Sequence, residues 1–114
     1  MKRVAILFTH GAWRGVDAAA GIDAALSLLA FEHELHVGFF GAGVELLSGS
    51  VDGDERSQCH RMVAALRHHG ASSMVASREC LESRSLQPHL ADIEIRPRAQ
   101  FAAWLSGTDH VLCF

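Results

Sequence analysis

The chain has 114 residues, of which 49% are hydrophobic and 20% charged, enough for one well-filled core and too few for two. Its formal net charge is -3 and its Lys and Arg residues are scattered, so no basic run follows a phosphate backbone and direct nucleic-acid binding is not expected. No apolar segment approaches the length of a membrane span.

Met1-Lys2-Arg3 runs into Val4-Ala5-Ile6-Leu7-Phe8, which Thr9-His10-Gly11 ends too soon for a signal segment. Arg3 to Phe8 is a continuous apolar run, as expected of a strand covered on both faces. After the loop Thr9 to Gly15, Asp17 is a candidate N-cap for a helix reaching about Phe31. Ile22, Ala25, Leu26, Leu29 and Ala30 form its apolar stripe. Leu35 to Phe40 reads as a second strand, followed by Gly41-Ala42-Gly43 and a helical turn at Val44 to Leu47. Ser48 to Asp54 reads as an exposed loop.

A helix over about Glu55 to His69 carries Cys59, Met62, Val63 and Leu66 on one side, with Gly70 placed to end it. Ser73 to Ala76 is a third strand, Arg78 to Arg84 a small helix, and Asp92 to Ile95 a fourth strand stopped by Pro97. Arg98 to Ser106 is helical, anchored by Phe101, Trp104 and Leu105. His110 to Phe114 is a last strand. This alternation predicts an α/β fold: a single domain over residues 1–114, with a mostly parallel five-stranded sheet and helices on both faces. The expected arrangement is flavodoxin-like, with strand order 2-1-3-4-5.

In such a sheet, ligands gather beyond the carboxyl ends of the strands, where the loops Thr9–Gly15, Gly41–Gly43 and Ser77–Cys80 are expected to meet. Gly41-Ala42-Gly43 runs on into Val44-Glu45-Leu46, so the dinucleotide pattern GxGxxG fails, and no cofactor is expected. Cys59, Cys80 and Cys113 are an odd set without CxxC spacing, which argues against a disulfide framework and for a reducing, cytoplasmic location. Cys80 is the candidate catalytic residue, a thiolate able to carry persulfide sulfur if a helix N-terminus or Arg78 and Arg84 favour its charge. The reading favoured over it is a free cysteine without assigned chemistry. Cys59-His60 and His68-His69 lack metal-ligand spacing, so no metal site is expected. No Ser-His-Asp arrangement is legible. Trp104 reads as core, whereas Trp13 either caps the sheet edge or anchors a partner.

Several blocks, taken in order, resemble the DsrF/TusC family of the DsrE-like superfamily. Met1 through Thr9 resembles its first strand, and Gly21-Ile22-Asp23-Ala24-Ala25-Leu26 closes a segment resembling "GxxxxREGLDALL". Phe39-Phe40-Gly41-Ala42-Gly43-Val44-Glu45-Leu46-Leu47-Ser48-Gly49 resembles "FFxxDGVxxLLxGQ". Leu81-Glu82-Ser83-Arg84-Ser85-Leu86 resembles "LxxRGL", and Asp109 through Phe114 a terminal "DVILxF". Ala42 replaces the usual Asp, Ser85 the Gly of "RGL", and Ala12-Trp13 the familiar Pro-aromatic pair.

The resemblance implies one subunit of a hetero-oligomer of the TusBCD or DsrEFH type, which relays sulfur as a protein-bound persulfide. Its partners would be DsrE/TusD-like and DsrH/TusB-like subunits, serving tRNA 2-thiouridine formation or sulfur oxidation. In the subunit carrying the acceptor cysteine, that cysteine lies eight residues before the "RRG" glycine; here Ser77 holds the position and Cys80 is three places off register. The expectation is an accessory, non-catalytic subunit. Two alternatives stay open: a sulfurtransferase using Cys80 itself, and a homo-oligomeric module binding a small anion.

Overall fold

The computed structural model describes residues 2–11, 15–48, 55–88 and 92–114. Trp13 and the loop after Ser48 lie outside them, as does the side chain of Cys59. The elements follow in the order β1 (Arg3–Phe8), α1 (Gly15–Ala30), β2 (Glu34–Phe39), a 3-10 helix (Gly41–Leu47), α2 (Glu55–His68), β3 (Ser73–Ser77), α3 (Arg78–Ser83), β4 (Glu94–Arg96), α4 (Arg98–Ser106) and β5 (His110–Cys113). All neighbouring strands are parallel, in the order β4-β3-β2-β1-β5.

That order corrects the expected 2-1-3-4-5. Each crossover from β1 to β4 adds its strand on the same side of the last, and only the final one returns to the far side of β1. Right-handed crossovers then put α1, α2 and α3 on one face and α4 on the other. The core agrees. Ile6, Phe8, Leu35, Val37, Phe39, Met74 and Ala76 join Ala18, Ile22, Ala25, Val63 and Leu66 in one buried cluster. Phe8 and Phe39, in register on β1 and β2, stack at 5.6 Å. Burying side chains of this size contributes about 1.5–3 kcal/mol each.

Asp17 lies inside the first turn of α1, which begins at Gly15. The buried side of α1 is Ala18, Gly21, Ile22 and Ala25, whereas Leu26 and Ala30 face outward. The three glycine-rich residues expected to form a turn are instead the first residues of the 3-10 helix. Ser85 has φ 51°, in the left-handed region. This is the position where the resembled family carries Gly, which adopts such a backbone without a Cβ penalty.

On the second face, Trp104 of α4 lies against β2. A Cβ on Gly38 would come within 2.8 Å of the Trp104 ring and 3.0 Å of Leu7, so the strand glycine makes room for the indole. Trp104 Nε1–H donates to Ser73 Oγ at 3.0 Å, and its ring meets His36 edge-on at 6.2 Å. His36 shares hydrogen bonds with Ser73 Oγ (2.6 Å) and Glu34 Oε2 (2.9 Å), and Arg3 pairs with Glu34 at 3.2 Å. Trp104 is thus both a packing anchor and a hydrogen-bonded member of a polar row crossing β1, β2 and β3.

Replacing Gly38 by Ala should therefore displace the rigid indole and destabilise the protein by about 1–3 kcal/mol. Chemical denaturation, with Trp fluorescence reporting the displacement, measures this; unchanged stability and spectrum would refute the close approach.

Candidate functional site

The carboxyl ends of the strands carry the candidate site. The connection after β3 leads to α3 on the first face, and that after β4 leads to α4 on the second. The crevice between these two turns is the topological switch point, where ligands of such sheets bind. Ser77 to Cys80 form the turn on one side, and Arg96 to Arg98 the turn on the other.

Glu79 spans this crevice. Its two carboxylate oxygens accept the Arg98 backbone N–H at 3.0 and 2.9 Å. Pro97, at the cap position of α4, provides no side-chain cap, so Glu79 does so from a different element. The Arg98 N–H holds the Glu79 carboxyl below its ordinary value of 4.5. Glu79's own backbone N–H and the charges of Arg98 and Arg78 act in the same direction, against desolvation.

Cys80, 8% exposed, belongs to the first-face core with Leu81. Its Sγ accepts the backbone N–H of Gly41 at 3.2 Å. Gly41 reaches that position with φ 57°, a conformation glycine adopts without strain. An amide N–H aimed at sulfur suits a sulfur carrying negative charge. Arg84, one of the two cations expected beside Cys80, pairs with Glu45 at 3.4 Å; Arg78 is exposed. The glycine amides expected to approach an anion are already engaged, Gly41 by Cys80 and Gly43 by the Phe40 carbonyl at 3.0 Å.

Ser77 is fully buried, and its hydroxyl has no hydrogen-bond partner among the described residues. Strand alternation places it with Ser73 and Val75 on the α4 side of the sheet, whereas Cys80 packs on the other side. Three positions in sequence therefore become opposite faces in space, and Cys80 does not occupy the place of Ser77. Cys113 is exposed on the edge strand β5, in register with Leu7. Thr9 is tied to the Phe114 carbonyl through both its N–H (2.7 Å) and its hydroxyl (3.0 Å), and His10 lies 3.9 Å from Asp17. The described parts of the expected loops meet at this edge: Gly41 bonds to Cys80, and Gly11 lies beside Glu45 and Ala42.

Among the described residues no three potential ligands cluster as a metal site would require, and no helix is long and apolar enough to cross a membrane. His68 and His69 are exposed neighbours in edge contact with each other. The residues that sequence reasoning passed over are Glu34, His36 and Ser73, at the opposite end of the strands. Their only signal is the polar spacing Glu34-x-His36 inside an apolar strand, which cannot reveal the distant Ser73.

The class defined by this fold is a parallel α/β domain with its crevice between β3 and β4. Residues 2–114 match the DsrE/DsrF-like family, and the chain belongs to it. Two solved structures share the fold over the whole of both chains. The ychN protein from E. coli has a TM-score of 0.76 at 17% identity, and MTH1491 from Methanobacterium thermoautotrophicum, a protein of unknown function, has 0.78 at 13%. No curated protein matches the chain.

Removing the orphaned hydroxyl by Ser77→Ala should raise stability by about 1 kcal/mol, because a buried unsatisfied group costs roughly 1–3 kcal/mol. A lower melting temperature would show that the hydroxyl has a partner. Because the Glu79 carboxyl is depressed in the folded state, its stabilising contribution is present above pH 4.5 and lost as pH falls through the depressed value. The melting-temperature gap between wild type and Glu79→Gln should accordingly narrow below pH 4.5; a gap independent of pH would contradict the cap.

Proposed function

We propose that this protein is an accessory, non-catalytic subunit of a cytoplasmic sulfur-relay complex of the TusBCD or DsrEFH type, with DsrF/TusC-like character. The observation that carries this reading is Ser77: a hydroxyl stands where the resembled acceptor subunits carry a cysteine, and serine cannot hold persulfide sulfur. The complex as a whole would then take its acceptor thiol from a DsrE/TusD-like partner, with a DsrH/TusB-like subunit completing the assembly. The output would be tRNA 2-thiouridine or the products of sulfur oxidation.

The edge strand supports association. Val111 and Leu112 of β5 are 42% and 43% exposed and point to opposite faces of the sheet, beside the exposed Cys113. Apolar surface at an open strand edge favours a covering partner over isolation in water. Co-expression with the products of neighbouring genes, followed by native mass measurement, should give a hetero-oligomer containing this chain. Recovery of this chain free of all of them would remove the assembly claim.

The Gly41 N–H on Cys80 Sγ favours a second reading, in which Cys80 itself accepts sulfur. That reading requires Cys80 to react with iodoacetamide at least as fast as Cys113. Slower alkylation of Cys80 under native conditions would exclude it in favour of the accessory role.

A further inference from the structure

The two edges of the sheet are built differently. β4 carries Glu94 and Arg96, ion-paired at 2.7 Å on either side of Ile95, and Pro97 follows it. Charges and proline on an edge strand discourage another chain from adding to it. β5 has neither. Beyond His110 it consists of Val111, Leu112 and Cys113, all exposed. An edge left bare of these devices is a template for a further strand.

The backbone of β5 shows what that strand must offer. Phe114 donates its N–H to the Leu7 carbonyl at 2.9 Å and accepts the Thr9 N–H at 2.7 Å, so both of its groups face β1. These groups alternate in direction along a strand. Leu112 therefore also turns to β1, whereas Val111 and Cys113 turn their N–H and C=O away from the sheet. The outward groups are symmetric about Leu112. A second β5 laid antiparallel, with the two Leu112 residues side by side, sets Val111 opposite Cys113 of the other copy. Each such pair exchanges both of its backbone bonds.

The side chains agree with this alignment. Register with β1 puts Val111 and Cys113 on the face of Ala5 and Leu7, and Leu112 on the face of Ile6. Directly opposite residues share a face, so Val111 packs beside Cys113 of the second copy and Leu112 beside Leu112. The charged groups Lys2, Arg3, Asp109 and His110 gather at the amino end of β5. Antiparallel pairing sets that end against the carboxyl end of the other copy, which keeps like charges apart.

We propose that β5 is a self-association edge, through which two copies of this chain pair antiparallel about Leu112 and join their sheets into one. The exposed edge is thereby assigned to a second copy, and the other subunits of the proposed relay complex would dock elsewhere; the pairing does not depend on that reading. An edge of this length buries less than a tight dimer does, so association is reversible and concentration-dependent.

Sedimentation of the purified full-length chain at rising concentration should show the particle mass climbing from 12.3 kDa towards twice that value. A short bis-maleimide should join Cys113 to Cys113, which are diagonal neighbours about 7–8 Å apart in this pairing. Val111→Pro removes an outward N–H, and Val111→Lys places a charge on the edge. Each should hold the chain monomeric while keeping the circular dichroism of wild type; if the proline variant is unfolded, the lysine variant decides. A wild-type chain still monomeric at about 1 mM would overturn the proposal. So would an assembly of any size that lacks the Cys113 cross-link or survives Val111→Lys. A chain monomeric alone, yet recovered in a hetero-oligomer with the products of neighbouring genes, would overturn the pairing and leave the relay reading standing.

Discussion

The handedness of the parallel crossovers is the constraint on which the rest of this molecule depends. A right-twisted strand feeding a helix packs back onto its sheet in one sense only. Three crossovers that step the same way put three helices on one face, and the single return crossover puts α4 on the other. This produces a crevice between β3 and β4, an open edge at β5, and a second face on which, among the described residues, the nine-residue α4 packs. The switch-point residues, the exposed apolar edge and the polar row beneath Trp104 are all consequences of that geometry.

The two ends of the sheet differ in chemistry for a physical reason. At the carboxyl ends the backbone is well satisfied by its own side chains: Cys80 takes the Gly41 amide, Glu79 takes the Arg98 amide, and Thr9 takes up the last carbonyl of the chain. Among the described residues, the Ser77 hydroxyl is buried there without a partner. At the amino ends, side chains satisfy one another instead, and the row from Arg3 to Trp104 borders open clefts. The first end thus holds a buried hydroxyl, while at the second the Ser73 hydroxyl is bonded to both His36 and Trp104.

Much of the fold was legible because local patterns and tertiary demands agree. The unbroken apolar run of β1 is buried on both faces, and α4 starts and stops at Arg98 and Ser106 as its anchors imply. Strand order was not legible, since periodicity identifies elements and carries no information about which way a crossover steps. Leu26 shows the same limit at smaller scale: it fits a helical stripe by spacing, yet it is 37% exposed. Cys80 could be placed near the carboxyl edge from sequence, but its partner could not, because the Gly41 amide lies 39 positions away. The row Glu34–His36–Ser73 is built from three strand-end residues whose meeting depends on register.

The proposed accessory role requires that sulfur find no acceptor on this chain, and the most direct measurement is transfer to the purified protein by itself. Incubated with a cysteine desulfurase and labelled cysteine, the isolated chain should gain no sulfane sulfur on any of its three cysteines, and gain none to pass on. Stoichiometric, transferable persulfide on Cys59, Cys80 or Cys113 would contradict it.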